Sequence, residues 1–335
     1  MVKVPQDSPK ILIVQLRRIG DVAFTLPVIG ALRRAFRNPT IDFLVEPPAD
    51  ALVSLDKNVR RTLSYDARRP LEWIRRVRSE RYDAVLDFHS NGRTLWITAL
   101  SGARVRAGFA GALNRRLAYN VIVPAVPNRF IVDQKIDLVR AVAPVADVDW
   151  NWKWDLTLPP AEISRAEKLL AGFGSGKTWI GFAPLHRHPI RAWHRERFAA
   201  AGDQLIKKGF GVLLLGGPGE KNGLDAVRKL MRENAAVHEA SNLLELSALI
   251  SRCRGFLAND NGPQKIAMAL NVPSVTIFGP TNPLTINPNR KPHASIRDES
   301  LFCIGCEKKI CPYRHECMTN ITVGAVVEKL EGVLR

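Results

Sequence analysis

Residues 256–283, FLANDNGPQKIAMALNVPSVTIFGPTNP, decide how this chain is read. A short apolar run (Phe256, Leu257, Ala258) stops at Asn259-Asp260-Asn261-Gly262. A small-residue helical pattern follows from about Pro263 to Leu270, and a second β-rich run, Ser274 to Phe278, stops at Gly279-Pro280-Thr281. Strand, polar turn, helix, strand is the unit of a parallel α/β sheet. A helix that starts right after such a turn aims free backbone N–H groups and a partial positive charge into the crevice at the strand's carboxyl end, where anions bind. There Gly262 allows close backbone approach, Lys265 adds a cation, and Asp260 offers a carboxylate to sugar hydroxyls. An ordinary βαβ turn with an Asp cap would contain the same residues, so the rest of the chain has to arbitrate.

Working outward, the same alternation recurs in both halves. Ile11-Leu12-Ile13-Val14 is a continuous apolar run, as in strands buried on both faces of a parallel sheet. Ile41–Val45, Arg61–Tyr65, Ala84–Asp87 and Val105–Phe109 are further strand candidates. Helical patterns lie between them, at Pro70–Ser79 and Thr94–Leu100, and one runs up to Phe36. Composition changes around Trp150, Trp152, Trp154 and Pro159-Pro160. The second half then gives strand Trp179–Ala183, helix Arg195–Lys208, strand Gly211–Leu215, and helices Asn222–Asn234 and Leu243–Arg252. The expected division is 1–160, a linker at 161–177, a second domain at 178–320 and a last helix at 321–335. Two doubly wound α/β domains should face a cleft, with ligands at the strands' carboxyl ends.

A length of 335 residues suits two domains. Hydrophobic residues make up 46% and charged residues 24%, as in an ordinary folded protein. No apolar run approaches the roughly 20 residues that cross a bilayer. The start, MVKVPQDSPK, lacks the apolar core of a secretory signal, so a cytoplasmic protein is expected. Lys and Arg exceed Asp and Glu by 49 to 32, a net charge of +17. That excess favours a polyanionic partner: nucleic acid, an anionic membrane surface or a phosphorylated substrate. Arginine clusters at 17–18, 33–37, 60–61, 68–69, 75–78, 104–106 and 115–116 lie in the first half.

Other loops at strand ends carry chemistry. In Gln15-Leu16-Arg17-Arg18-Ile19-Gly20-Asp21 the glycine permits a tight turn. With a helix starting near Thr25, Asp21 would stand free in the loop as a candidate general base. Its plainer role is a helix cap, or a partner for Arg17 or Arg18. The loop Pro184–Trp193 carries His186, Arg187, His188 and Arg191, a cationic rim suited to a diphosphate. In Gly216-Gly217-Pro218-Gly219-Glu220 the glycines let a backbone approach, and Glu220 could accept ribose hydroxyls. Neither a Walker sequence nor the Rossmann G-x-G-x-x-G spacing occurs, which argues against phosphoryl transfer from ATP and against a dinucleotide enzyme. Cys303, Cys306, Cys311 and Cys317 could form a metal knuckle, reduced thiols that pin a loop, or local disulfides; no catalytic metal is expected.

Taken together, Arg18-Ile19-Gly20-Asp21 with Leu26-Pro27, Tyr82-Asp83 to His89, Gly102-Ala103-Arg104, the Gly216–Glu220 turn, Asn259 to Pro263, Phe278 to Thr281 and the late cysteine series resemble the ADP-heptose–lipopolysaccharide heptosyltransferases, glycosyltransferase family 9. The resemblance implies a GT-B fold, with the acceptor on the first domain, the nucleotide sugar on the second, and a last helix crossing back to the first. It implies inverting, metal-independent transfer from ADP-heptose, with no cofactor, to an anionic glycolipid acceptor of the lipopolysaccharide core, by an enzyme visiting the inner membrane from the cytoplasmic side. Carried onto this chain, Asp21 is the base, flanked by Arg18 and Gly20. Arg191 stands where the family has Lys or Arg before x-Trp and would hold the diphosphate. Glu220 would bind ribose, and Asn242 and Leu243 would lie near the adenine. Asp260, Asn261, Gly262, Pro263 and Lys265 would hold donor sugar and phosphates. The family commonly has Thr at the position of Asn261 and His at that of Lys265. The rival readings are a transferase for another nucleotide sugar and a basic protein that binds nucleic acid or an anionic surface; no helix-turn-helix, RRM or finger signature supports the latter.

Overall fold

The computed structural model describes residues 4–111, 115–143 and 148–335. The first three residues of the N-terminal segment lie outside them. Two compact units divide at Thr157/Leu158.

The first unit is built on strands β1 (Lys10–Val14), β2 (Thr40–Val45), β3 (Arg61–Ser64), β4 (Ala84–Asp87), β5 (Val105–Phe109) and β6 (Val121–Val123). Every ladder is parallel and the strand order is β3-β2-β1-β4-β5-β6. The second unit carries β7 (Trp179–Ala183), β8 (Gly211–Gly216), β9 (Ala236–Glu239), β10 (Gly255–Asn259), β11 (Ser274–Ile277) and β12 (His293–Ile296). Its ladders are also parallel, in the order β12-β11-β10-β7-β8-β9. Counted from each unit's own first strand, both orders are the dinucleotide-fold order 3-2-1-4-5-6, read from opposite ends. The central strands have apolar side chains on both faces: Ile11 to Val14 and Val212 to Leu214 are fully buried. That burial is why their sequences run as unbroken apolar stretches rather than alternating.

Helices cover the faces through amphipathic stripes. Helix Pro27–Ala35 buries Val28, Ile29, Ala31 and Leu32 and turns Arg33 and Arg34 outward. Helix Arg195–Lys207 buries Phe198, Ala199, Ala201 and Leu205.

Two sequence expectations need correction, and the packing of the last helix can be added to them. Residues 161–177 are not a free linker: helix Pro160–Phe173 packs on helix Leu243–Ser251 and buries Ala166 and Leu170, so it belongs to the second unit. Pro160 stands at the first turn, where its missing N–H costs nothing, so the proline pair marks a helix start rather than a break. The last helix, Val323–Leu334, lays Val326, Val327 and Leu330 on helix Arg195–Lys207 and on β10, β11 and β12. Its apolar stripe is thus used on the second unit's own sheet. Finally, Asp21 is not in a loop. A short helix, Ile19–Ala23, precedes Pro27–Ala35, and Asp21 sits in its first turn.

Candidate active site

In a doubly wound sheet the crevice opens where neighbouring crossovers leave to opposite faces, at the strands' carboxyl ends. Here those points lie between β1 and β4 in one unit and between β7 and β10 in the other. The loops singled out in the sequence follow β1, β7 and β10 of these, together with β8.

In the first unit, Val14 leads into Gln15 and then to the helix that carries Asp21. The Asp21 carboxylate caps this helix, accepting the Arg18 N–H at 3.0 Å, yet its side chain remains exposed. Arg18 is exposed beside it. Gly20 accepts the Phe24 N–H at 3.0 Å through its carbonyl, and Trp154 Nε1–H donates to Ala23 O at 2.8 Å, which fixes the far end of the short helix. The cap reading of Asp21 therefore holds: one carboxylate oxygen caps, and the group is open to solvent.

Beneath it lies a buried network that the sequence reading did not assign. Lys135, on helix Ile131–Val142, is 3% exposed, and its ammonium donates to Gln15 Oε1 at 2.9 Å. An ammonium only donates, so the Gln15 atom facing it is oxygen. The Gln15 amide nitrogen then donates to Arg17 O at 2.9 Å and to His89 Nδ1 at 3.0 Å. Nδ1 of His89 is thereby an acceptor, and the neutral ring carries its proton on Nε2. Among the described residues Nε2 makes no hydrogen bond and is not sealed from solvent. Burial holds the His89 pKa down against the charge of Asp21, and Arg17 and Lys135 add to the lowering. Burial likewise pushes the Lys135 ammonium down to about 8, with Asp21 and Asp87 opposing. Asp87 Oδ1 accepts the N–H groups of His89 and Ser90 at 3.0 and 2.8 Å, and its Oδ2 takes the Tyr119 hydroxyl at 2.7 Å, which anchors the His89 turn. Lys135 was legible in outline: Val132, Lys135, Val139 and Val142 share one helical face.

In the second unit, Asn259 ends β10 and ties two loops together. Its amide donates to Pro184 O at 2.7 Å and accepts the Trp193 N–H at 2.9 Å. Asn261 is fully engaged: Oδ1 accepts from Gln264 N at 3.1 Å, and Nδ2 donates to Ala183 O and Leu185 O at 3.0 and 2.9 Å. Its side chain shapes the crevice and has no N–H left for a ligand. Pro263 has no N–H, which leaves that of Gly262 open at the start of helix Gly262–Ala269. A Cβ at Gly262 would meet nothing within 4 Å, so the space over this terminus is clear.

Asp260 and Lys265 form a buried ion pair at 2.5 Å, each side chain 8% exposed. Burial alone would raise the Asp260 pKa. The Lys265 charge and hydrogen bond, with His186 and Arg191, reverse this and hold it below the ordinary carboxylate range. Lys265 therefore neutralises a carboxylate rather than standing free. His186 turns inward, its Nδ1 accepting His188 N–H at 2.9 Å and its Nε2–H donating to Asp260 O at 2.9 Å. Arg191 makes an ion pair with exposed Glu307 at 3.2 Å, a contact an anion can displace. Glu220 accepts Gly217 N–H at 2.8 Å through Oε2. It lines a pocket of about 530 Å³ with His186, Arg187, Trp193 and His315, a volume within the range of small-ligand sites. Asn242 caps helix Leu243–Ser251 through Glu245 N at 2.9 Å, and Leu243 is buried.

The four late cysteines and Cys253 are all free thiols, which removes the disulfide alternative. Cys317 is buried, and burial together with Cys311, Cys303 and Cys306 pushes its thiol up to about 11. Among the described residues no group of three His, Cys, Asp or Glu side chains is placed to hold a metal ion.

Two parallel doubly wound units, with an open carboxylate at one switch point and an anion-ready helix start at the other, are those of a GT-B glycosyltransferase. The profile of glycosyltransferase family 9 (heptosyltransferase) matches residues 71–316, and the chain belongs to that family. It is 24% identical to lipopolysaccharide heptosyltransferase 3 of Escherichia coli over 286 residues, 80% of this chain and 82% of that protein. The family 9 glycosyl transferase of Veillonella parvula superposes with a TM-score of 0.86 at 21% identity, over 99% of both chains. E. coli ADP-heptose LPS heptosyltransferase II superposes with a TM-score of 0.80 at 20% identity, over 97% of this chain and 98% of that one. At these identities the structural likeness bears on the fold.

Proposed function

We propose that this chain is an inverting heptosyltransferase that moves a heptose from ADP-heptose to an anionic, membrane-anchored glycolipid of the lipopolysaccharide core. The donor is that of the E. coli ADP-heptose LPS heptosyltransferase II it resembles, and the reaction class is that of the family. The observation that carries the mechanism is the exposed Asp21 carboxylate at the β1/β4 switch point. Asp21 accepts the proton of the acceptor hydroxyl. The freed oxygen forms its bond to the anomeric carbon as the bond to the ADP oxygen breaks on the opposite face, which inverts the centre. Negative charge then grows on the diphosphate, and the Gly262 N–H, the helix start and Arg191 stabilise it. This electrostatic share usually outweighs proton transfer. Glu220 is assigned to the ribose, and Asn242 and Leu243 to the adenine. Asp260 would take a hydroxyl of the donor sugar, its charge held in check by Lys265.

The test is Asp21→Asn. Turnover should fall by roughly 100- to 10,000-fold, the range of a lost general base. Unchanged turnover would remove Asp21 from the chemistry.

A further inference from the structure

Helix Pro70–Ser79 has two apolar faces. Trp73 and Val77 enter the core of the first unit. Leu71 and the half-buried Ile74, which also packs on that core, line a groove of about 710 Å³ against Trp96, Ile97 and Leu100 of the next helix region, which begins at Gly92. The groove walls are open: Leu71 is 67%, Trp96 65% and Leu100 41% exposed. Exposed apolar patches of this kind mark interaction sites. No helix among the described residues is long and apolar enough to cross a membrane.

We propose that this groove is the face by which the chain docks on an anionic lipid bilayer. The proposal rests on the reading of the acceptor as a membrane-anchored glycolipid. Charge complementarity selects this occupant. Between residues 66 and 78 five arginines stand against two carboxylates, Asp66 and Glu72. Those acids pair with Arg68 and Arg69, leaving Arg75, Arg76 and Arg78 exposed on the same helix. Arg78 donates to Leu100 O at 3.3 Å, which holds it at the groove rim, and Arg76 lies over the Trp73 ring at 4.8 Å on the same helix. By contrast, Arg60 and Arg61 are committed to Asp42 and Glu80, and Arg106 and Arg115 to backbone carbonyls. Leucine and tryptophan flanked by arginine fit the interface, with the rings at headgroup level and the guanidinium groups on phosphates. Arg17 and Asn91 line the groove's end. Arg17 leads into the helix that carries Asp21, and Asn91 follows His89 after β4, so a docked chain keeps the reactive carboxylate near the headgroups.

The test is co-sedimentation of the full chain with phosphatidylglycerol-containing vesicles and with phosphatidylcholine vesicles, at low and high salt. Binding should require phosphatidylglycerol and weaken with salt. Replacing three arginines (R75Q/R76Q/R78Q) should lower the partition coefficient by roughly 100-fold. Leu71→Ser with Trp96→Ser should abolish the part of binding that survives high salt, with unchanged melting temperature because both side chains are exposed. Turnover on a water-soluble, deacylated acceptor should persist in both variants, which separates loss of docking from failure of the transferase reading. Wild-type vesicle binding by the Leu71/Trp96 variant, or no preference for the anionic lipid, would overturn the proposal. So would a dimer in lipid-free solution that those same substitutions dissolve, since the groove would then be filled by a second copy.

Discussion

Both switch points pair an aspartate with a lysine, and they use the pair in opposite ways. In the second unit Asp260 and Lys265 are buried together, 2.5 Å apart, and cancel. In the first they are split: Asp21 stays at the surface while Lys135 is buried below and bonded to Gln15. A neutralised pair suits a place where a diphosphate must settle, because a bare carboxylate there would repel it. An open carboxylate suits proton transfer, because a hydroxyl can reach it. The buried lysine supplies positive potential beneath Asp21 without closing off the acid. On the proposed mechanism the same fold, repeated, serves as an anion cradle in one copy and as the source of the base in the other, through where each carboxylate sits.

The contrast can be broken first at Lys265. Lys265→Met leaves a buried carboxylate without its partner and should cost about 3–5 kcal/mol in denaturant unfolding. Because the Asp260 pKa is depressed in the fold, the wild-type pair stabilises above the unfolded carboxylate's range and loses that stabilisation as pH falls through it. The double change Lys265→Met, Asp260→Asn should recover most of the loss. A single mutant as stable as wild type would mean the pair is not needed to hold this carboxylate.

Lys135 should give a pH slope of the same sign in an alkaline window, but there the buried charge costs stability instead of adding it. Its folded pKa of about 8 lies below the ordinary 10.5. The unfolded chain therefore binds the extra proton between these values, and stability should climb as pH rises through that window. The full shift corresponds to roughly 3 kcal/mol, given 1.36 kcal/mol for each unit. Measured as wild type minus Lys135→Met, unfolding free energy should rise from pH 7 to pH 10; a flat difference would contradict the buried ammonium. The smallest effect is spectroscopic. Long-range nitrogen–proton NMR should find His89 protonated at Nε2 and bare at Nδ1 in wild type. In Lys135→Met, with the Gln15 amide free to turn, the two tautomers should mix.

Much of this was readable in the chain, and the failures share physical causes. Central strands declared themselves because burial on both faces demands unbroken apolar runs, and Trp179–Ala183 was placed to the residue. The strands that escaped, β6, β9 and β12, are all sheet edges. Each is at most half-buried over most of its length, so VIV, AVHE and HASI need no continuous apolar pattern. The site loops were found because glycine, proline and charge cluster at strand ends. What those side chains do was less legible. Asn261 and Lys265 looked free for a ligand, yet the first is consumed by two carbonyls and a cap, and the second by Asp260. Such pairings depend on residues brought together across the sheet, as Asn261 and Ala183 are, and linear order does not display them. The basic first half was overread in the same way, since several arginines are internal fasteners.

The central claim is a division of labour: the first unit supplies the base and the second holds the nucleotide. Calorimetric titration of ADP into the full-length wild type, Asp21→Asn and Arg191→Ala tests it most directly. Wild type and Asp21→Asn should bind ADP alike, and Arg191→Ala should bind at least about tenfold more weakly, as loss of one charged hydrogen bond requires. If Asp21→Asn lost ADP affinity as severely as Arg191→Ala, or if Arg191→Ala bound like wild type, the assignment of the two switch points would be contradicted.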